Sequence, residues 1–263
     1  MKTLFTIEDH VEPYAEKTIL EYHQLISSVL SVAEKEMVVP YNAAKKAEKP
    51  VSDTEEAEFY EPDVIKRIKA AFDQEPLKWR LFGYVLIYTG GRRGEALGIK
   101  WENIDFENKR IHIINNSVYT AEKGTFEKKP KTDKSMRWIS VSETVILMFL
   151  EYKRVQEEEA ERLGDYWEEH GYVFTQSNGK PMHPDSINGK LKKIEEKYGL
   201  PHLHPHAFRH SYASALIDAG VDDVSLSGSL GHSKPSTSKN IYGHFFTKAE
   251  EKNAAIIASA YDD

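Results

Sequence analysis

Apolar residues recur at helical spacing in segment after segment of this chain, and alternation with polar residues is confined to one short stretch, residues 104–141. A chain patterned in this way buries its helical stripes against one another. The expected fold is therefore mainly α with a small antiparallel β-sheet. The 263 residues allow one large domain, or a medium domain with a smaller appendage.

Thr18 is placed to cap a helix running to about residue 36, with Ile19, Tyr22, Ile26, Val29, Leu30 and Ala33 near the 3.6-residue period. One such helix cannot bury its own stripe, so a partner is expected from the first fifteen residues or from chain missing from this sequence. Residues 40–53, with Asn42, Pro50 and several lysines, read as a linker. Helices are expected over 62–72 and 76–88, with a short one after Gly91. Strands are expected at Ile104 and Phe106, over 110–114 and over 136–141, with a polar Lys-rich segment at 121–135. Further helices follow over 142–162, 185–198, 205–219, 222–230 and 248–260. The expected division is 1–50, 51–246 and a tail helix in 247–263. Glu157, Glu158, Glu159 and Glu161 read as a solvated helix face.

Cysteine is absent, which excludes disulfides, thiolate catalysis and cysteine-based metal sites. No run approaches the roughly 18 apolar residues of a membrane span, and the segment MKTLFTIEDH lacks a signal peptide's apolar run. The cytoplasm is the expected compartment. A net charge of -7 argues weakly against a nucleic-acid partner, but residues 61–150 carry 16 Lys and Arg against 12 Asp and Glu. That excess is small enough to be ordinary solvated surface, so the case for function falls on motifs.

Three separated segments hold residues suited to a phosphodiester: 89–95, the hairpin around Lys131, and 203–242. In TGGRRGEALG, Arg92 follows a glycine turn and Glu95 lies one helical turn later, where it can orient a guanidinium or simply form a helix-start salt bridge. In HLHPHAFRHSYAS, His206 and Arg209 are three apart on one face of the helix that Pro205 can begin, so an imidazole and a fork of donors can meet one phosphate. The histidines at 202, 204, 206 and 210 suggest zinc, but Pro205 interrupts them and no HExxH pair completes a site, so no metal and no cofactor is expected. His232 follows Leu230-Gly231, and Tyr242 comes ten residues later, either returning to the same pocket or packing as a half-buried ring.

Together, TGGR with Glu95, PKTDKSMR, HAFRH, LGHS and NIYGH resemble the tyrosine recombinase, or phage integrase, family, in the right order and over roughly residues 15–250. The residues around His232 and Tyr242 look more like integrases of phages and conjugative transposons than cellular chromosome-dimer resolvases. The resemblance implies that Arg92 and Arg209 clamp the phosphate, Lys131 is the hairpin lysine, His206 and His232 support proton transfer and phosphate binding, and Tyr242 attacks. Glu95 looks like the structural partner of the first arginine. Against the family pattern, residues 1–50 resemble only the last helices of a core-binding domain, as in an N-terminally truncated chain, while 51–246 resemble the catalytic domain and 247–263 a tail that docks on a neighbouring subunit. The SLSG segment before Leu230 and the 234–239 link to Tyr242 are also unusual.

The chemistry implied is site-specific strand exchange. Forming a phenolate at pH 7 costs about 4 kcal/mol, which cationic neighbours offset. Two arginines and His232 would hold charge in the five-coordinate transition state, and Lys131 would protonate the leaving oxygen. The implied partners are double-stranded DNA core sites, with a homo-tetramer in the synaptic complex and a monomer or weak association without DNA. An accessory DNA-bending or directionality factor is a further partner the resemblance allows; no membrane is implied. Two alternatives stay open: a DNA-binding remnant with this fold but no unaided recombination, and relaxation of DNA as by a type IB topoisomerase.

Overall fold

The computed structural model describes residues 14–48, 58–128, 135–231 and 241–243, and divides into two compact units, Met1–Glu56 and Ala57–Asp263. In the first unit, helix α1 (Glu16–Lys35) starts before Thr18, with Ala15 at the N-cap and no side-chain cap bond. The expected Thr18 cap is thus replaced by a start at Glu16, whose carboxylate suits the positive helix N-terminus. The expected linker also contains structure: Ala43–Lys46 forms a 3-10 turn capped by Asn42. The Asn42 amide donates to Ser27 O and Ser31 Oγ of α1, and His23 Nε2 lies 2.8 Å from Ala44 O. Tyr22, Ile26 and Val29 of the expected stripe remain exposed.

The second unit is mainly helical, as the periodicity predicts. Helices α2 (Pro62–Asp73), α3 (Leu77–Thr89) and α4 (Arg93–Leu97) come first. Helix α3 packs against α2, against α5 (Glu143–Leu163) and against α7 (Pro205–Asp218), and buries Leu81, Phe82, Tyr84, Val85 and Leu86. A helix apolar on nearly every side belongs at the centre of a core. Gly83 makes this possible, since a Cβ there would enter the ring of Phe72. Helices α6 (Ser186–Tyr198) and α8 (Asp223–Leu230) complete the bundle, and the Asp222 side chain accepts from the backbone N–H groups of Val224 and Ser225. On α5, Arg154 pairs with Glu158 and Arg162 with Glu159, which fits a solvated acidic face.

The alternating stretch forms an antiparallel sheet ordered β1–β2–β5, from Ile104–Asp105, Arg110–Ile113 and Arg137–Ser140. Its register sets Ile111 opposite Ile139, both buried. A second, two-stranded sheet was not expected. Asn116–Thr120 (β3) and Gly124–Lys128 (β4) pair as a hairpin, so part of the polar segment, 124–128, is strand rather than loop. Both strands are half-buried to exposed and lack regular apolar alternation; Ser117, the buried residue, is polar. Gly124, at φ +68°, supplies the left-handed position that turns the hairpin. The expected tail helix lies outside the described residues.

Candidate active site

Helix α3 ends at Gly90, whose φ of +55° forms the left-handed cap. A Cβ at Gly90 would lie 2.5 Å from the ring of Tyr212, so glycine is required by backbone and neighbour alike. The turn delivers Arg92 to the N-cap of α4, where its backbone N–H donates to Glu95 Oε2 at 2.9 Å and its guanidinium to Glu95 Oε1 at 2.8 Å. Glu95 is buried and also accepts from Arg137 Nη2 at 2.9 Å. Burial pushes its carboxyl up, but the charge and hydrogen bond of Arg137, with the charge of Arg92, outweigh that and hold it at about 2. The salt-bridge reading and the orienting reading of Glu95 are therefore one arrangement: an ionised carboxylate shared by two arginines.

Arg137 leads the last strand of the sheet and ties it to the end of α8, donating from Nε to Ser229 O at 2.7 Å. Arg209 does the same from α7, with Nη1 on Gly90 O at 2.9 Å and Nη2 on Leu230 O at 2.6 Å. Two guanidiniums thus cap carbonyls in the last turn of α8, where the helix leaves its own acceptors unsatisfied and its dipole favours cations. The tie joins α3, α4, α7, α8 and β5 around one charged knot. Burial and the nearby positive charge of Arg92 pull the guanidinium of Arg209 down to about 10.

Tyr242 is fully buried, among Ala213 and Ile217 of α7 and Leu226 and Leu230 of α8. Burial raises its phenol above the ordinary value, while the charges of Arg209 and Arg92 oppose the rise. Its Oη lies 2.9 Å from Nδ1 of His210. His206 stands solvent-accessible on the first turn of α7, and partial desolvation of its ring by its neighbours, with the charges of His204, Arg209 and Arg92, lowers its pKa. It lines an open cleft of about 390 Å³ with Arg92, Arg93, Asn116 and Tyr119. His202 and His204 are engaged elsewhere, by Glu195 and Glu58.

The structure therefore brings Arg92, Glu95, His206, Arg209 and Tyr242 into one region, while Lys131 and His232 lie outside the described residues. Sequence reasoning missed Arg137 and His210. The strand parity of Arg137 with inward Ile139 signalled an arginine on a buried face, which requires a carboxylate. His210 follows Arg209 and stands one turn beyond His206, a spacing that put it on the same helix end.

The His210 imidazole is pushed down to about 4, first by burial and then by the positive neighbours His206 and Arg209. Its ordinary value is 6.5, so the unfolded chain takes up a proton that the folded chain refuses between about pH 6.5 and 4. Stability should be full above that window and fall as pH drops through it. The expected loss is on the order of 2 kcal/mol after solvent screening. Urea unfolding at pH 7.5, 6 and 4.5 measures it, and a flat profile would contradict a buried neutral His210.

The phage integrase family model matches residues 58–248. A "Tyrosine recombinase XerC-like" protein of Caldanaerobacter subterraneus is 36% identical over 225 residues, which cover 81% of this chain and 56% of that protein. The ICEBs1 integrase of Bacillus subtilis is 26% identical over 230 residues, covering 87% of this chain and 62% of the relative. The chain thus spans little more than half the length of these relatives. Among solved structures, the Tn1549 transposon integrase in complex with transposon right end DNA superposes with a TM-score of 0.75 at 22% identity, over 92% of this chain and 80% of that one. The XerA recombinase gives 0.59 at 19% identity, over 92% of this chain and 76% of its own. The fold is that of tyrosine recombinase catalytic domains, and with a family model matching well over half its length, the chain belongs to the phage integrase family.

Proposed function

We propose that this chain cleaves and rejoins DNA strands at specific sites through a covalent 3′-phosphotyrosine on Tyr242, and so acts in integrating or excising a mobile element. The observation that carries the reading is the convergence of the Tyr242 phenol with the positive charges of Arg209 and Arg92. A cationic site around a phenol stabilises both the phenolate and the phosphodiester it attacks. The family membership supports the reaction class. The relatives named as integrases of ICEBs1 and Tn1549, the latter in complex with DNA, support double-stranded DNA as substrate and a mobile element as context.

In this reading the Tyr242 oxygen bonds to phosphorus as its proton passes to His206 acting as base, and the bond from phosphorus to the 5′-oxygen breaks. The leaving oxygen takes a proton and becomes a 5′-hydroxyl. A 5′-hydroxyl from another strand reverses the steps, so one phosphoester replaces another without ATP or metal. Arg92 and Arg209 would hold nonbridging oxygens, and His206, at the cleft, would donate to the phosphate. Lys131 as general acid and His232 as phosphate donor are proposed from PKTDKSMR and LGHS alone. Glu95, with Arg137, would keep Arg92 in place. The assembly proposed is a homo-tetramer on two core sites, with residues 247–263 docking between subunits, monomeric or weakly associated without DNA. No helix among the described residues is long and apolar enough to cross a membrane. We place the reaction in the bacterial cytoplasm, where host DNA lies.

The test is covalent capture. Duplexes with a randomised core and a nick that lets the 5′-fragment diffuse away are incubated with the protein, and denaturant-resistant adducts are recovered and sequenced. Adducts enriched for an inverted repeat are expected. Adducts on all sequences would favour relaxation over recombination, and specific binding without adducts would favour a remnant.

A further inference from the structure

Arg93 follows Arg92 at the start of α4, and nothing in the proposed reaction uses it. Both line the open cleft of about 390 Å³ with His206, and the positive charges of both bear on the His206 ring. The two arginines differ in what holds them. Arg92 is pinned by Glu95, whose side chain is only 8% exposed and is shared with Arg137. Arg93 Nη1 instead meets Asp185 Oδ1 at 2.9 Å, and the Asp185 side chain is 69% exposed. Asp185 stands at the N-cap of α6, yet its side chain makes no cap bond with that helix. Its backbone N–H donates to Nδ1 of His183 at 3.1 Å, which leaves the carboxylate turned to the cleft and to Arg93.

An ion pair this exposed is weak, because water screens both charges. A phosphodiester offers the same guanidinium two anionic oxygens, and its neutralisation releases a condensed counterion, so it can displace a carboxylate that is free to turn into water. Phosphates follow one another at about 3.4 Å of helix axis along a DNA strand. A strand whose scissile phosphate lies on Arg92 therefore brings a further phosphate to the neighbouring arginine. We propose that Arg93 grips a backbone phosphate next to the scissile one, and that Asp185 occupies its guanidinium until DNA displaces it. This rests on the proposed reaction, which puts the scissile phosphate at Arg92 and His206. Asp185 is then a brake on binding: DNA must first displace its carboxylate, which afterwards faces the strand as a like charge. The buried Glu95 cannot be displaced in this way, so the two arginines divide the work. Arg92 is fixed for the reacting phosphate, and Arg93 is released by DNA for its neighbour.

Fluorescence anisotropy on an intact duplex of the sequence captured by the wild-type protein, at salt from about 50 to 200 mM, reads the contact directly. Arg93→Gln is expected to bind roughly 10-fold more weakly, with the slope of log affinity against log salt reduced by about 1. Arg93→Lys keeps the charge and should keep the slope. Asp185→Asn should bind roughly two- to fivefold more tightly, and most of that gain should vanish when Arg93 is also Gln. Duplexes with one neutral methylphosphonate at a time locate the phosphate. One position beside the scissile phosphate should weaken the wild-type protein but leave Arg93→Gln as it was. Wild-type affinity and slope in Arg93→Gln, a slope lost equally in Arg93→Lys, or an Asp185→Asn gain that is the same without Arg93 would overturn the proposal. So would a scan in which no flanking position loses its effect in Arg93→Gln. Absence of any captured duplex for the wild-type protein would instead overturn the proposed reaction, and this inference with it.

Discussion

Tyr242→Phe should eliminate the covalent protein–DNA adduct altogether while changing DNA affinity by no more than about twofold. The ring of Phe keeps the packing against Ala213, Ile217, Leu226 and Leu230, so the pocket that holds residue 242 survives. What disappears is one oxygen, and with it the hydrogen bond to His210. Leaving His210 Nδ1 without this partner costs about 1 kcal/mol, too little to unfold the domain. Affinity comes mostly from contacts with the DNA backbone, which the substitution leaves in place. Denaturing gels of capture reactions and a titration by fluorescence anisotropy read the two quantities separately. An undiminished adduct would move the nucleophile to another residue.

Arg137→Met should destabilise the folded chain by about 3 kcal/mol or more, the largest stability effect we expect from a single site in this region. Methionine fills similar space, but it strands Glu95, a buried carboxylate that Arg137 meets at 2.9 Å. It also removes the donor that caps Ser229 O at the end of α8. Arg92 remains beside Glu95 but is itself partly exposed, so it cannot replace a buried partner. Neutralising the carboxylate in the double variant Arg137→Met, Glu95→Gln should recover part of the loss, because the cost lies mainly in the unpaired charge. Urea unfolding of the four proteins closes the cycle. A loss below about 1 kcal/mol in the single variant would mean that this pair contributes little.

The helices were legible because their stripes are long and periodic, and because Pro62, Pro205 and Asp222 mark their starts in physical ways. The hairpin of β3 and β4 was not, because its residues are mostly half-buried or exposed and the buried one, Ser117, is polar, so no apolar face imposes alternation on them. Thr18 misled for a related reason: a capping residue type is common inside helices, and Glu16 begins the helix earlier. In the site, Arg92, His206, Arg209 and Tyr242 could be found because each sits in a segment with its own punctuation. Arg137 stood at the end of PKTDKSMR without being singled out, and His210 was weighed only as one of four histidines that might hold zinc. Their work is set by contacts across 42 and 32 residues of sequence, with Glu95 and Tyr242, which local spacing does not reveal.

The most direct test of the account is to identify the atom that holds the DNA. Adducts captured on nicked duplexes would be digested with nuclease and protease, and the nucleotide-bearing peptide sequenced by tandem mass spectrometry. The account predicts a single modified peptide, containing NIYGH, with a 3′-nucleotide phosphate on Tyr242. A nucleotide on the nearby Tyr212, on a serine, or on any other residue would contradict it.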